Sequence, residues 1–324
     1  MHASEYGSIN EFIAKNLSVL KNEVHISRKN LDSDTIETLF VCYKITNSID
    51  VILQFENMKP HPVWALDEVM TEMLAMNPGL YEKHFPNMAG FMNSFKRANK
   101  MYNYLYGARW HYPTHQQLNL YERFKKNLNT RQGVSVIYTD VDTLPSEFNI
   151  PCTDLHQFIY RNGGMNLTTY FRSSDIFRGY IYDVFLSSFL CQMMASWLDV
   201  NPGQLIFFHN SFHVYKEHYE RLAKTLEEIQ TFKLKPVTNE KQFSLSVDDF
   251  WNEIWRVKDI EEISRHTLEF PDMYSEIKSQ YFKDWANIYL AWNLKDADLL
   301  KQVKTSQMLA LIKDFSNNGR FKSK

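Results

Sequence analysis

The centre of the chain gathers residue types that do chemistry. A cysteine follows a proline at Pro151-Cys152-Thr153, and Gln157-Phe158 comes shortly after it. Arg172-Ser173-Ser174-Asp175 leads to Gly179, Asp183 and finally His213-Val214-Tyr215. Taken singly, each has an ordinary structural explanation. A free cysteine is usually a small buried hydrophobe, and an arginine in a strand is usually an edge residue or half of an ion pair. His209 and His213 stand one helical turn apart and His218 comes after them. No carboxylate lies in register with them, the stretch begins in a strand, and HExxH is absent, so no metal is expected. The order and spacing of the whole run carry more than any one member.

The elements that must position these residues are read from periodicity. Apolar residues recur at helical spacing over Pro62 to Met76 and Met88 to Met101, with a turn at Asn77-Pro78-Gly79 between them. His115 to Leu128 is a further amphipathic helix. Val134 to Tyr138 reads as a strand, and Phe158 to Arg161 with Met165 to Phe171 as two paired strands turning at Asn162-Gly163-Gly164. A buried helix runs through Trp197 and stops at Asn201-Pro202-Gly203. A strand comes next over Gln204 to Phe208, then a helix over His213 to Ile229. Lys233 to Ser244 reads as a polar linker and Asp248 to Phe315 as helical. Strands that adjoin in hairpins imply an α/β (α+β) fold with a mixed or antiparallel sheet.

Bulk properties narrow the partners. The 324 residues are 44% apolar and carry a formal net charge of −2, with a pI near 6.6. No global field draws such a chain to nucleic acid or an anionic membrane, although a few local arginines would hold a small anion. Cys42, Cys152 and Cys191 are too few and odd in number for a disulfide framework, which suits a reducing compartment. The first residues lack a signal pattern. The most apolar stretch, Val184 to Val200, holds Ser187, Ser188, Gln192 and Ser196 and is too short and polar to span a bilayer. A soluble, cytoplasmic protein is expected.

The run from Cys152 to Tyr215 resembles the thymidylate synthase family: a proline-cysteine nucleophile, a glutamine-phenylalanine strand, an arginine-serine-x-aspartate strand end, a glycine, a base-reading residue and a histidine-x-tyrosine pair. Upstream, Tyr106-Gly107-Ala108-Arg109-Trp110 is similar to the family's tyrosine-glycine-x-x-tryptophan segment, and Thr130-Arg131-Gln132 stands where the family has a serine-arginine-arginine phosphate clamp. The resemblance implies covalent catalysis at pyrimidine carbon 5. A thiolate from Cys152 adds to carbon 6, and carbon 5 becomes enamine-like and attacks a one-carbon electrophile. The thiol then needs a depressed pKa, which Arg172 beside it would supply. The resemblance further places Arg172, Ser173 and Ser174 at the nucleotide, with Arg131 reaching in from the second subunit of a homodimer. His213 and Tyr215 would bind the sugar, Gln157 would lie near the nucleophile, and Tyr106 would route a proton. Asp175, Gly179 and Trp110 would lie toward the folate, 5,10-methylenetetrahydrofolate. Glu72 or Glu68 would order active-site water, and Arg28 or Lys29 would supply the N-terminal phosphate contact.

Departures from the pattern sharpen the expectation. Where thymidylate synthases read uracil with an asparagine, this chain has Asp183, and Thr153 replaces the usual histidine after the nucleophile. An ionised aspartate has only acceptors, which suits the exocyclic amine of cytosine. Both changes resemble the deoxycytidylate hydroxymethylases, in which water captures the exocyclic methylene. The expected activity is therefore 5-hydroxymethylation of dCMP or CMP. A C5 methylase on dCMP or dUMP and a non-catalytic nucleotide-binding member are the alternatives. Residues 1–230 are expected to form the catalytic domain and 231–324 a helical extension packed on it, with no nucleic-acid or membrane partner.

Overall fold

The computed structural model describes residues 4–22, 24–26, 34–76, 79–86, 106–144, 150–235, 237, 240–317 and 321. The strands are β1 (Ser4–Tyr6), β2 (Val24–Ile26), β3 (Thr35–Ile45), β4 (Gly133–Val136), β5 (Thr153–Arg161), β6 (Gly164–Phe171), β7 (Ser174–Asp175) and β8 (Asn201–Tyr215). The helices are α1 (Ile9–Asn16), α2 (Pro62–Leu74), α3 (Gly79–His84), α4 (Tyr106–His111), α5 (Gln116–Lys126), α6 (Tyr180–Trp197), α7 (Tyr219–Ile229), α8 (Val247–Thr267), α9 (Gln280–Leu294) and α10 (Ser306–Leu311). All eight strands join one mixed sheet in the order β1-β3-β8-β6-β5-β4, with β2 on β3 and β7 on β8.

The hairpin expected at Asn162 is present and tighter than read. Asn162 (φ 55°) and Gly163 (φ 80°) both adopt the left-handed conformation that a two-residue turn demands and that Asn-Gly supplies at least cost. Gly164 already pairs with Arg161. A side chain at Gly164 would meet the Gly203 backbone at 2.9 Å, so glycine on both strands lets β6 and β8 start side by side. Two expectations are amended here. The buried helix ends at Trp197, ahead of Asn201-Pro202-Gly203 as read, but that tripeptide already opens β8, before the expected start at Gln204. Pro202 is tolerated because β8 at that point pairs only with β6, and β3 joins from Leu205 onward. His213 to Tyr215 is strand, not helix. Glu37 of β3 and Asp175 of β7 flank His213, and this pairing overrides the helical spacing of the side chains. The helix begins only at Tyr219. The β3 strand had no counterpart among the expected elements.

Helix α6 crosses between the parallel strands β6 and β8 and is buried on every face. Its polar groups find partners inside. Ser187 pairs with Thr169 at 3.1 Å, Ser188 donates to the Ser48 carbonyl at 2.5 Å, and Ser196 to that of Leu245 at 3.0 Å. Among the described residues no helix is long and apolar enough to cross a membrane. The C-terminal part packs into the same core through Phe250, Tyr281, Trp285 and Tyr289. The helix read over Asp248 to Phe315 is broken where Leu268 (φ 58°) and Lys295 (φ 56°) turn left-handed. The described residues of the stretch read as a linker lack regular structure but are strapped down. Gln54 donates to the Lys235 carbonyl at 2.7 Å and Asn47 to that of Val237 at 2.9 Å. The helix expected over Met88 to Met101, and Arg28 and Lys29, lie outside the described residues.

Candidate active site

Parallel strands β6 and β8 end at the same edge, where the crossover places the start of α6 beside them. Cys152 arrives there at the mouth of β5 and is half-buried. The arginine after β6 locks this corner. The Arg172 N–H donates to the Cys152 carbonyl at 3.0 Å. Its Nε and Nη2 donate to the carbonyls of Pro151 and Ile150 at 2.7 and 2.9 Å, and Nη2 stands 3.8 Å from the Cys152 Sγ. The fork that the sequence suggested for phosphate therefore also builds the nucleophile loop.

The thiol is not depressed, contrary to expectation. Burial pushes it up to about 11, with the negative charges of Asp183, Asp175 and Asp154 adding to the rise and Arg172 only opposing it. Alkylation by iodoacetamide should accordingly be slow at neutral pH. It should quicken roughly tenfold per pH unit through pH 10, since only the thiolate reacts. A rate already flat at pH 8 would contradict a thiol raised to about 11.

Around Cys152 lies a ring of acidic and phenolic groups. Thr153 donates to the Tyr106 hydroxyl at 3.2 Å, which orients the phenol from the position where the family has histidine. Asp183 sits in the first turn of α6, its N–H on the Gly179 carbonyl at 2.9 Å. A side chain at Gly179 would stand 3.1 Å from an Asp183 carboxylate oxygen, so the glycine gives that carboxyl its room. Burial first, and Asp175 second, lift Asp183 to about 7, so near neutrality the protonated and ionised forms are both populated. This changes the basis on which Asp183 was expected to read a base, because a neutral carboxyl donates as well as accepts.

Helix α2 faces this group with Glu68 and Glu72, one turn apart. Glu72 accepts the Gly107 N–H at the start of α4. Burial lifts it to about 8. Any side chain at Gly107 would run into the Glu72 carbonyl, 2.0 Å away, so the Tyr106-Gly107 pair is required for α4 to meet α2. Glu68 is half-buried, accepts a hydrogen bond from Trp64, and is pushed well above its ordinary range by burial and by Asp183 and Glu72.

At the end of β8, Nδ1 of His213 lies 3.4 Å from Ser173 Oγ and 3.2 Å from Ser211 Oγ, and Ser211 donates to Glu37. The Tyr215 ring lies 5.1 Å from that of His213, with the Arg178 guanidinium 5.2 Å over it. Asp175 accepts the Phe177 N–H at 3.0 Å and lies 3.7 Å from Arg178; burial raises it to about 6.

Other residues singled out by the sequence lie elsewhere. Trp110 is fully buried against His156 and Tyr106. Ser174 is 1% exposed and bonded to His209 at 2.8 Å. Gln157 points to the outer sheet face, 3.5 Å from the Arg131 carbonyl, and not toward Cys152. Arg131 is exposed beside the sheet edge. Glu37 and Asp154 were missed. Asp154, raised by burial to about 6 against the pull of Arg172, directly follows the cysteine-threonine pair, which was its only signal. Burial keeps His156 and His209 neutral, each lowered to about 3. Among the described residues no three His, Cys, Asp or Glu side chains are arranged to hold a metal ion.

Comparison with known proteins returns one consistent answer. A family model described as thymidylate synthase matches residues 64–267. A deoxyuridylate hydroxymethyltransferase of Bacillus phage SP01 is 34% identical over 164 residues, 49% of this chain and 39% of that one. A thymidylate synthase of Vesicomyosocius okutanii is 29% identical over 157 residues, 45% of this chain and 59% of that one. These matches span less than two thirds of either relative's length. The thermostable thymidylate synthase A from Bacillus subtilis superposes with a TM-score of 0.57 over 71% of this chain and 87% of its own, at 18% identity, which establishes the fold.

Proposed function

The chain belongs to the thymidylate synthase family, and we propose that within it the protein is a cytidylate 5-hydroxymethylase, using methylenetetrahydrofolate as one-carbon donor to dCMP or CMP. The observation that supports this reading is the buried Asp183 at the start of α6, whose carboxyl burial lifts to about 7 and whose ionised form lies close enough to Cys152 to raise its thiol. A neutral carboxyl donates its proton to cytosine N3 while its other oxygen accepts from the exocyclic amine. Protonation at N3 is also what thiolate addition to carbon 6 requires, because the electron pair displaced from the ring collects there.

The steps then balance. Cys152 Sγ bonds to carbon 6, and carbon 5 attacks the folate methylene. Carbon 5 loses its proton, the folate nitrogen leaves, and an exocyclic methylene remains. Water adds to that methylene, the ring double bond re-forms, and the thiolate leaves carbon 6. Glu72 is held by the Gly107 amide, so its part is to position Tyr106. Glu68, a turn away and half-buried, takes the role of ordering the capturing water. Ser173, His213 and Tyr215 would hold the sugar and phosphate, with Arg172.

The same reading makes the protein a homodimer through the outer face of the sheet. That face leaves Leu39, Phe40, Val134, Val136 and Phe208 exposed, Phe40 to 79%. Tyr170 stacks on Phe208 at 4.9 Å there. Arg131, beside that face, would complete the partner's phosphate site. Residues 231–324 form an extension of the catalytic unit in this proposal.

A uridylate 5-hydroxymethylase is the second reading. Neutral Asp183 can also donate to uracil O4 and accept from N3–H, and one relative is named a deoxyuridylate hydroxymethyltransferase. The two separate in one assay. With methylenetetrahydrofolate and dCMP, CMP or dUMP labelled with tritium at carbon 5, the expected result is tritium release from a cytidylate with the mass of a hydroxymethyl product. Release from dUMP alone would replace the first reading with the second.

A further inference from the structure

Behind the active-site face of α2 lies a buried ionic cluster that takes no part in the chemistry above. His84, at the end of α3, places Nδ1 2.8 Å from Asp67 of α2 and Nε2 3.0 Å from Glu261 of α8, with all three side chains at most 2% exposed. An imidazole with a carboxylate beside each nitrogen is held as the cation, with Nδ1 hydrogen-bonded to Asp67 and Nε2 in an ion pair with Glu261. Arg265 Nε donates to Glu261 at 2.6 Å, and the Tyr289 hydroxyl of α9 donates to Asp67 at 3.0 Å with its ring stacked on His84 at 5.7 Å. Among the described residues these are the charged and titratable groups that face His84. The carboxylates carry it up to about 9 against the effect of burial.

Buried ion clusters seldom stabilise more than a well-packed apolar core would, because desolvation cancels the attraction. What they impose is a single geometry. Asp67 directly precedes Glu68 and shares its helix with Glu72, so a cluster that fixes Asp67 fixes both carboxylates.

We propose that Asp67, His84 and Glu261 form a positioning triad that sets the register of α2 beneath the active site, so that the C-terminal helices govern turnover without touching substrate. The triad depends on the functional reading above only for the roles of Glu68 and Glu72. Those carboxylates bear on Asp183, and Asp183 on the Cys152 thiol. A shift of α2 is therefore readable at Cys152 without any turnover.

The test uses full-length His84→Gln and His84→Lys, held well below their melting temperatures. In His84→Gln the midpoint pH of Cys152 alkylation should move by roughly half a unit or more. The value of kcat should fall about tenfold while KM for nucleotide stays within a factor of about two. His84→Lys restores the cation and should bring both back toward wild type. A folded His84→Gln protein with the wild-type midpoint and kcat overturns the triad. If His84→Gln does not fold, Glu261→Gln, which keeps the Asp67 contact, is read in the same way. An inactive wild type would defeat the functional reading and leave the alkylation midpoint to decide the triad alone.

Discussion

Cys152→Ser should lower turnover on a cytidylate by on the order of 10⁴-fold or more, as loss of a covalent nucleophile does, while nucleotide affinity stays within a few-fold. The alcohol is a far weaker nucleophile than a thiolate and cannot form the carbon 6 adduct. Binding should survive because Arg172 holds the 150–152 loop through backbone carbonyls and not through the sulfur; the 3.8 Å Nη2 to Sγ contact is the weakest of its links there. Kinetics paired with calorimetric binding of dCMP check this. Turnover within tenfold of wild type would mean that no adduct at Cys152 lies on the reaction path.

Asp183→Asn should reverse the base preference. The amide keeps one donor and one acceptor, but it cannot deliver a proton to N3. It pairs with uracil, and with cytosine it can still donate an N–H to N3 and accept from the exocyclic amine, but N3 gains no proton as the thiolate adds. Loss of a positioned proton donor costs about two orders of magnitude or more, so the ratio of kcat/KM for dCMP over dUMP should fall by at least that factor. The pH profile offers a second check. In wild type the proton on Asp183 is lost as pH rises through its elevated pKa, so activity on dCMP should decline on that alkaline side. The asparagine variant has no such proton to lose, and the decline should vanish. An unchanged base ratio would remove Asp183 from base selection and with it the case for cytosine.

The sequence was most legible where local chemistry dictates geometry. Asn162-Gly163 admits little but a tight turn, and the Cys152 to Tyr215 run with the upstream Tyr106 segment names residues that meet in space: Cys152 with Arg172, Ser173 with His213, Thr153 with Tyr106. It was least legible where a distant strand decides. His213 to Tyr215 shares helical spacing with the residues up to Ile229, yet β3 and β7 claim it for the sheet. Trp110 and Gln157 fit a site motif by their neighbours in sequence, but their local elements turn them into the core and onto the outer sheet face. Ionisation was the hardest property to read. Arg172 beside Cys152 suggested a low thiol pKa, but burial and three aspartates from separate segments outweigh one guanidinium whose donors already serve backbone carbonyls. The same burial lifts Asp183 to about 7, which no inspection of residue types would reveal.

The measurement that bears most directly on the central claim is the intact mass of the chain after incubation with methylenetetrahydrofolate and 5-fluoro-dCMP. Fluorine at carbon 5 cannot leave as a proton does, so a reaction that begins with thiolate addition and one-carbon transfer must stall as a covalent complex. The expected result is a mass gain of nucleotide plus folate, mapped to the peptide holding Cys152 and absent from Cys152→Ser. A chain of unchanged mass under conditions where dCMP itself turns over, or an adduct on another residue, would contradict covalent catalysis by Cys152 at the cytosine ring.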